Sequence, residues 1–153
     1  MSTTTERTTL DLATRLDRAE SVEAIRHRMH TYAHAFDKRE LSGFLSIWTE
    51  DAEWTPMPGT SVSGRAGIRQ LTEQMWQSVA ASHHWSVNAV IDVDGDVATA
   101  MTDVNALAQS ADGGWAQTAA TYRDTFRRVD GTWLLAKRET DLHHTFPVPD
   151  PVS

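Results

Sequence analysis

Val93-Asp94-Gly95-Asp96, Ala111-Asp112-Gly113-Gly114 and Val129-Asp130-Gly131-Thr132 decide how this chain folds. Asp-Gly favours a tight hairpin, because the central residues of such a turn take positive φ at little steric cost. The three turns separate four runs rich in Val, Ala, Thr, Trp and Tyr, at about 83–93, 96–109, 114–128 and 132–142. Four long strands joined by tight turns make an antiparallel meander, and a long sheet that twists and curls leaves one concave face.

Upstream of the meander the pattern turns helical. Val22, Ile25, Met29, Tyr32, Ala33 and Phe36 recur at three- and four-residue spacing, which predicts a long helix that begins near Leu12. Tyr32 falls within its apolar stripe and Asp37 at the stripe's edge, at or just past the C-terminus. His27 and His34 fall on the polar side and read as surface residues. A second, shorter helix is expected over about 40–49, with Leu41, Phe44, Leu45 and Trp48 as its apolar face. Residues 51–55 read as a short strand, ended by Pro56-Met57-Pro58-Gly59. Ile68, Leu71, Met75, Trp76 and Val79 predict a third helix over about 64–80.

The plan is α+β: a curled antiparallel sheet, with three N-terminal helices closing a pocket. Residues 1–14 read as a flexible, threonine-rich segment, 15–145 as one domain, and 146–153 as a Pro-rich tail that continues no regular element. The chain's 153 residues suffice for one core. A net charge of −7 disfavours nucleic acid and anionic membranes as partners. No apolar run reaches membrane-spanning length, and the N-terminus lacks the plan of a signal peptide, so the cytoplasm is the expected location. With no cysteine, disulfides, thiolate metal sites and cysteine nucleophiles are excluded. The alternation in 96–109 and 114–128 shows no clean polar face, which suggests burial on both sides of the sheet and hence an oligomer.

No phosphate loop, HExxH or nucleophile elbow is present. His83-His84 and His143-His144 do not suggest a metal, because adjacent strand residues point to opposite faces. In the first meander strand His83, Trp85, Val87, Ala89, Ile91 and Val93 form a mostly apolar run, while His84, Ser86 and Asn88 form a polar one. That polar run faces either water or a polar cavity. Asp103, inside the second strand, needs a partner or a wet cavity, and Arg138 sits likewise in the last strand. Buried together, an Asp and an Arg most often form a structural ion pair.

Asp37-Lys38-Arg39, Leu45-Ser46-Ile47-Trp48 and Asp51-Ala52-Glu53-Trp54-Thr55, with Gly131-Thr132-Trp133 and Lys137-Arg138, resemble a known family over about 15–145. It is the hexachlorocyclohexane dehydrochlorinase branch of the SnoaL-like, NTF2-like superfamily. The resemblance implies a cone-shaped α+β barrel, assembled as a homotrimer, and a His–Asp dyad acting as base without a cofactor or metal. On this chain the dyad is His84 with Asp37, and Arg138 is the arginine of the last strand. Tyr32 stands where the dehydrochlorinase has a lysine, which argues against chloride elimination. A tyrosine there, with Asp37, His84, Asp103 and Arg138, is similar to bile acid 7α-dehydratase, and scytalone dehydratase likewise pairs tyrosine hydroxyls with a His–Asp dyad. The implied activity is a cofactor-independent lyase, a dehydratase acting on a small hydrophobic cyclic carbonyl-type substrate. Alternatives on the same fold are a ketosteroid-isomerase-like proton shuttle using Asp37 or Asp103, a dehydrochlorinase, and a non-catalytic ligand-binding module.

Overall fold

The computed structural model describes residues 11–150. The mobility expected for residues 1–10 and the end of the expected tail, 151–153, lie outside the described residues. Residues 12–14, expected in the N-terminal segment, are helical: helix α1 spans Leu12–Asp37, and the Asp11 carboxylate accepts from the Thr14 N–H at 2.9 Å. Its buried stripe is Ser21, Ile25, Met29, Tyr32, Ala33, Ala35 and Phe36. Arg39 takes a φ of 58° and ends the helix, and its guanidinium donates to the carbonyls of Trp76, Val79 and Ala80 at 3.1, 2.6 and 2.9 Å. The end of α1 is thereby tied to the place where α3 passes into β3, which fixes Asp37 against the sheet.

Helix α2 (Leu41–Ser46) is shorter than its periodicity suggests, and strand β1 (Trp48–Met57) starts earlier. The last strand captures the backbone here: the Leu135 N–H donates to the Ile47 carbonyl at 2.7 Å. Trp48 keeps its burial but as a strand residue. A short strand unmarked in the sequence, β2 (Thr60–Ser63), folds back on β1 through Gly59, whose φ is 80°. Helix α3 (Gly64–Ser78) follows, and then the meander: β3 (Val79–Asp94), β4 (Val97–Ser110), β5 (Trp115–Val129) and β6 (Thr132–Val148). Asp130 and Gly131, with φ of 48° and 75°, make the hairpin between β5 and β6.

The strands form one sheet in the order β2-β1-β6-β5-β4-β3. The curled α+β sheet covered by helices agrees with the expected cone-shaped architecture, with two differences. The sheet is not closed into a barrel among the described residues, and it is mixed, because β1 runs parallel to β6. Helix α1 lies against β3 and β6, and α3 against β1 and β2. The tail also differs: Phe146 and Pro147 pair with Gln117 and Ala116 as part of β6. Proline is tolerated because the β1–β6 pairing extends only to Thr55↔Glu139, so this end of β6 is an edge. Among the described residues no helix is long and apolar enough to cross a membrane.

Strand β4 alternates cleanly, with Ala98, Ala100, Thr102 and Val104 buried and Val97, Met101, Asp103 and Asn105 exposed. The expectation of burial on both sides is therefore not met within one chain. In β3 the polar run faces inward and the apolar run outward: Ser82 is buried and His84 half-buried, while His83, Trp85 and Val87 are exposed. A bulge between Val87 and Val90, with Asn88 at a φ of 50°, then reverses the phase, so that Ala89, Ile91 and Val93 pack on the core. That bulge lets one strand offer polar groups at one end and apolar groups at the other. Replacing Asn88 by Val should cost about 1–2 kcal/mol in urea unfolding, because a β-branched residue resists positive φ, whereas Gly should nearly preserve stability.

Candidate functional site

Asp37, the last residue of α1, meets the start of β3. Its Oδ1 accepts from Ser82 Oγ at 2.7 Å, its Oδ2 from the His84 N–H at 2.8 Å, and Oδ1 lies 2.6 Å from His84 Nδ1. The carboxylate only accepts, so Nδ1 carries the hydrogen, and in the neutral ring the lone pair is on Nε2. Burial alone would raise the Asp37 pKa, but the bonds from His84 and Ser82 outweigh it and hold the carboxyl below its ordinary value. The imidazole is set edge-on to Tyr32 and Phe36, with centroids 6.5 and 5.6 Å away.

His84 lines a cavity of about 330 Å³ between the sheet and the helices. Phe36, Met75, Val104, Ala106, Ala120 and Leu142 make its apolar wall, and Ser82, Tyr122 and Thr140 also line it. A groove of about 440 Å³ between α1 and β3 reaches the same dyad from outside, past His30, His34, Lys38 and His83. The inner cavity is the better substrate site, since its wall is largely apolar and it is walled by both sheet and helices.

Arg138 lies on β6 opposite Asp124 of β5. Its Nε and Nη2 donate to the two Asp124 oxygens at 2.8 and 2.6 Å, and both side chains are at most 1% exposed. The guanidinium carbon lies 4.1 Å from the ring centres of both Tyr32 and Tyr122. Burial works against the charge, yet Asp124 drives the Arg138 pKa upward. Nη1 finds no hydrogen-bond partner among the described residues, nor do the buried Trp54 Nε1 and Thr140 Oγ1. The Tyr32 hydroxyl is near enough to Arg138 and Trp54 for both to lower its pKa, but burial prevails and raises it. Burial raises Tyr122 well above its ordinary value too, so both phenols keep their protons at working pH.

The structure thus brings Asp37, His84, Tyr32 and Arg138 together around one aromatic cluster. Tyr32 and Arg138 lie behind the cavity wall rather than in it. Asp103 does not join them. Strand parity turns it outward, where Asn88 Nδ2 and Thr121 Oγ1 donate to it at 3.0 and 2.8 Å. The partner of Arg138 is Asp124. Ser82, Tyr122, Thr140 and Asp124 were not evident as site residues in the sequence; inward parity in β5, once Tyr122 is fixed, would also have selected Asp124. Among the described residues no group of three His, Cys, Asp or Glu side chains is arranged to hold a metal ion.

An open, curled α+β sheet holding a polar dyad at the rim of an apolar cavity belongs to the NTF2-like class of folds. Within it, the chain belongs to the SnoaL-like domain family, whose sequence profile matches residues 17–139. It is 29% identical over 136 residues to the gamma-hexachlorocyclohexane dehydrochlorinase of Sphingobium indicum, covering 87% of each chain. The structure of hexachlorocyclohexane dehydrochlorinase from Novosphingobium barchaimii superposes with a TM-score of 0.83 at 27% identity, over 88% of this chain and 94% of that one. A candidate scytalone dehydratase from Novosphingobium aromaticivorans, 22% identical, shares the fold with a TM-score of 0.79 over 88% and 91% of the two chains. The expectation of a lyase agrees with the dehydrochlorinase relatives.

Two outcomes follow from the geometry. Asp124→Asn leaves the Arg138 charge uncompensated in the core and should destabilise by about 3–5 kcal/mol in denaturant titration. Because the folded pKa of Asp37 is depressed, its contribution is complete above the unfolded carboxylate value and is lost as pH falls through the folded one. Melting temperature should therefore drop below about pH 4, and less steeply in Asp37→Asn.

Proposed function

We propose that the protein is a cofactor-independent lyase that removes water from a hydrophobic, cyclic, carbonyl-bearing substrate held in the inner cavity. The observation that carries this reading is the 2.6 Å contact between Asp37 and His84 Nδ1, with the imidazole lining an apolar cavity. His84 Nε2 takes the proton from the carbon beside the carbonyl, and Asp37 fixes the tautomer and stabilises the imidazolium. The carbon–oxygen bond then breaks to leave a double bond, and the departing oxygen takes a proton. Arg138 and Tyr32, stacked behind the wall, stabilise the charge that develops there.

Loss of HCl, the chemistry named for the dehydrochlorinase relatives, is the second reading, favoured by the 29% identity over most of both chains. Against it, a neutral phenol stands at position 32, and a phenol suits a leaving group that needs a proton better than one that needs a cation. The isomerase alternative loses support, because both Asp37 oxygens are occupied and Asp103 faces outward. A purely binding role would leave an aligned His84–Asp37 pair at the cavity without use.

The same reading includes a trimer. Trp85 and Val90 are 52% and 58% exposed on the outer sheet face, beside Met101, which pairs with Val90. An apolar patch of this kind suits contact between copies.

Purified protein should convert 3-hydroxycyclohexanone-type compounds to enones, read by ultraviolet absorbance, faster than it releases chloride from γ-hexachlorocyclohexane. His84→Gln should lose about 10²–10⁴ of the rate while keeping its melting temperature. An unaffected His84→Gln rate would sink the dyad mechanism. Light scattering should report three copies for the native chain and fewer for Trp85→Glu/Val90→Glu.

A further inference from the structure

Tyr122 is the tyrosine that lines the cavity. It lines the cavity together with His84, and so does Thr140, its cross-strand neighbour on β6. The Thr140 hydroxyl is buried and has no hydrogen-bond partner among the described residues. Tyr32 is set one layer back, with its ring 5.7 Å from Tyr122 and 6.5 Å from His84. His84 and Tyr122 are therefore both neighbours of the same ring, close enough for one small substrate to touch the two.

We propose that Tyr122 is the catalytic acid of the elimination, donating its proton to the departing oxygen. The inference rests on the lyase reading and assigns to Tyr122 the direct contact that the resemblance would give to Tyr32. In the step, His84 Nε2 takes a proton from carbon and the C–H electrons form the double bond. The carbon–oxygen bond breaks, and the oxygen leaves as water with the Tyr122 proton. Arg138, 4.1 Å from the Tyr122 ring, stabilises the phenolate until the imidazolium returns its proton. Enzyme and proton count are then restored without any added reactant. Arg138 acts through the two rings it touches, and Tyr32 is a positioning residue whose ring lies 4.1 Å from the Arg138 guanidinium carbon. What ties the assignment to a ligand is that Tyr122 and His84 line the same cavity.

The test uses the full-length protein and two readouts. The first is the ¹³C resonance of carbonyl-labelled 2-tetralone. Binding should move it downfield through hydrogen bonding; Tyr122→Phe should abolish that shift, and Tyr32→Phe should retain it. The second is turnover of 3-hydroxycyclohexanone, where Tyr122→Phe should lower kcat about 100-fold or more with KM within a few-fold, and Tyr32→Phe should lower it far less. The proposal is overturned by a shift that survives in Tyr122→Phe, by a ketone that binds unshifted or not at all, or by an unimpaired kcat. If His84→Gln is inactive while Tyr122→Phe is not, only this assignment fails. If His84→Gln is fully active, the dyad mechanism fails, and the ketone resonance still decides what Tyr122 faces.

Discussion

The Arg138–Asp124 pair holds this structure together at its centre. Withdrawing two charges from water costs several kcal/mol each, and mutual attraction offsets it only when the geometry is good and the remaining donors are satisfied. Here the carboxylate takes two short bonds from the guanidinium, and the rings of Tyr32 and Tyr122 each lie 4.1 Å from its central carbon. Tyr32 comes from α1, Tyr122 from β5 and Arg138 from β6, so a single cation fastens the long helix to the middle of the sheet. Two of its three nitrogens face the ion pair. The third is unpartnered among the described residues.

A second local cost lies at the end of α1. A carboxylate at a helix C-terminus opposes the helix dipole, and Asp37 is half-buried as well. Three donors from Ser82 and His84 compensate, and all three come from the first residues of β3. The Arg39 guanidinium holds that strand start in place by bonding the carbonyls of Val79 and Ala80. Dyad geometry is thus set by the joint between helix and strand. Functional sites are where such local conflicts are expected to persist, because geometry there is held by neighbours rather than by local preference.

Much of this was legible in the chain. The Asp-Gly turns gave the meander, the α1 periodicity placed Tyr32 inside and Asp37 at the edge, and the polar run of His84 and Ser86 marked an unusual strand face. What escaped reading was register, and bulges are the reason. Counting back from the Val129↔Thr132 turn sets Asp124 opposite Lys137; the bulge at Thr125/Phe126, where Ala136 is extra, moves it opposite Arg138. Asp103 was misjudged for a related reason. Its apolar neighbours suggested burial, but Met101 shares its outward face while Thr102 and Val104 turn inward. The C-terminal strand was missed because Pro147 argues against a central strand, and only the short reach of β1 turns that position into an edge.

The cavity itself follows from where large residues stop. At one end of the sheet Trp48, Trp54, Phe126 and Leu135 fill the concave face completely, and all are essentially unexposed. Further along the sheet, on β4 and β5, Ala106, Ala108, Thr118 and Ala120 line the cavity instead. Small side chains on a curled sheet cannot reach the helices opposite, so a void of ligand size opens where the close-packed core ends. Tyr122 stands at that boundary, between the filled core and the open cavity, with the buried cation behind it. The residue at such a boundary takes its electrostatics from the core and its contacts from whatever enters the cavity.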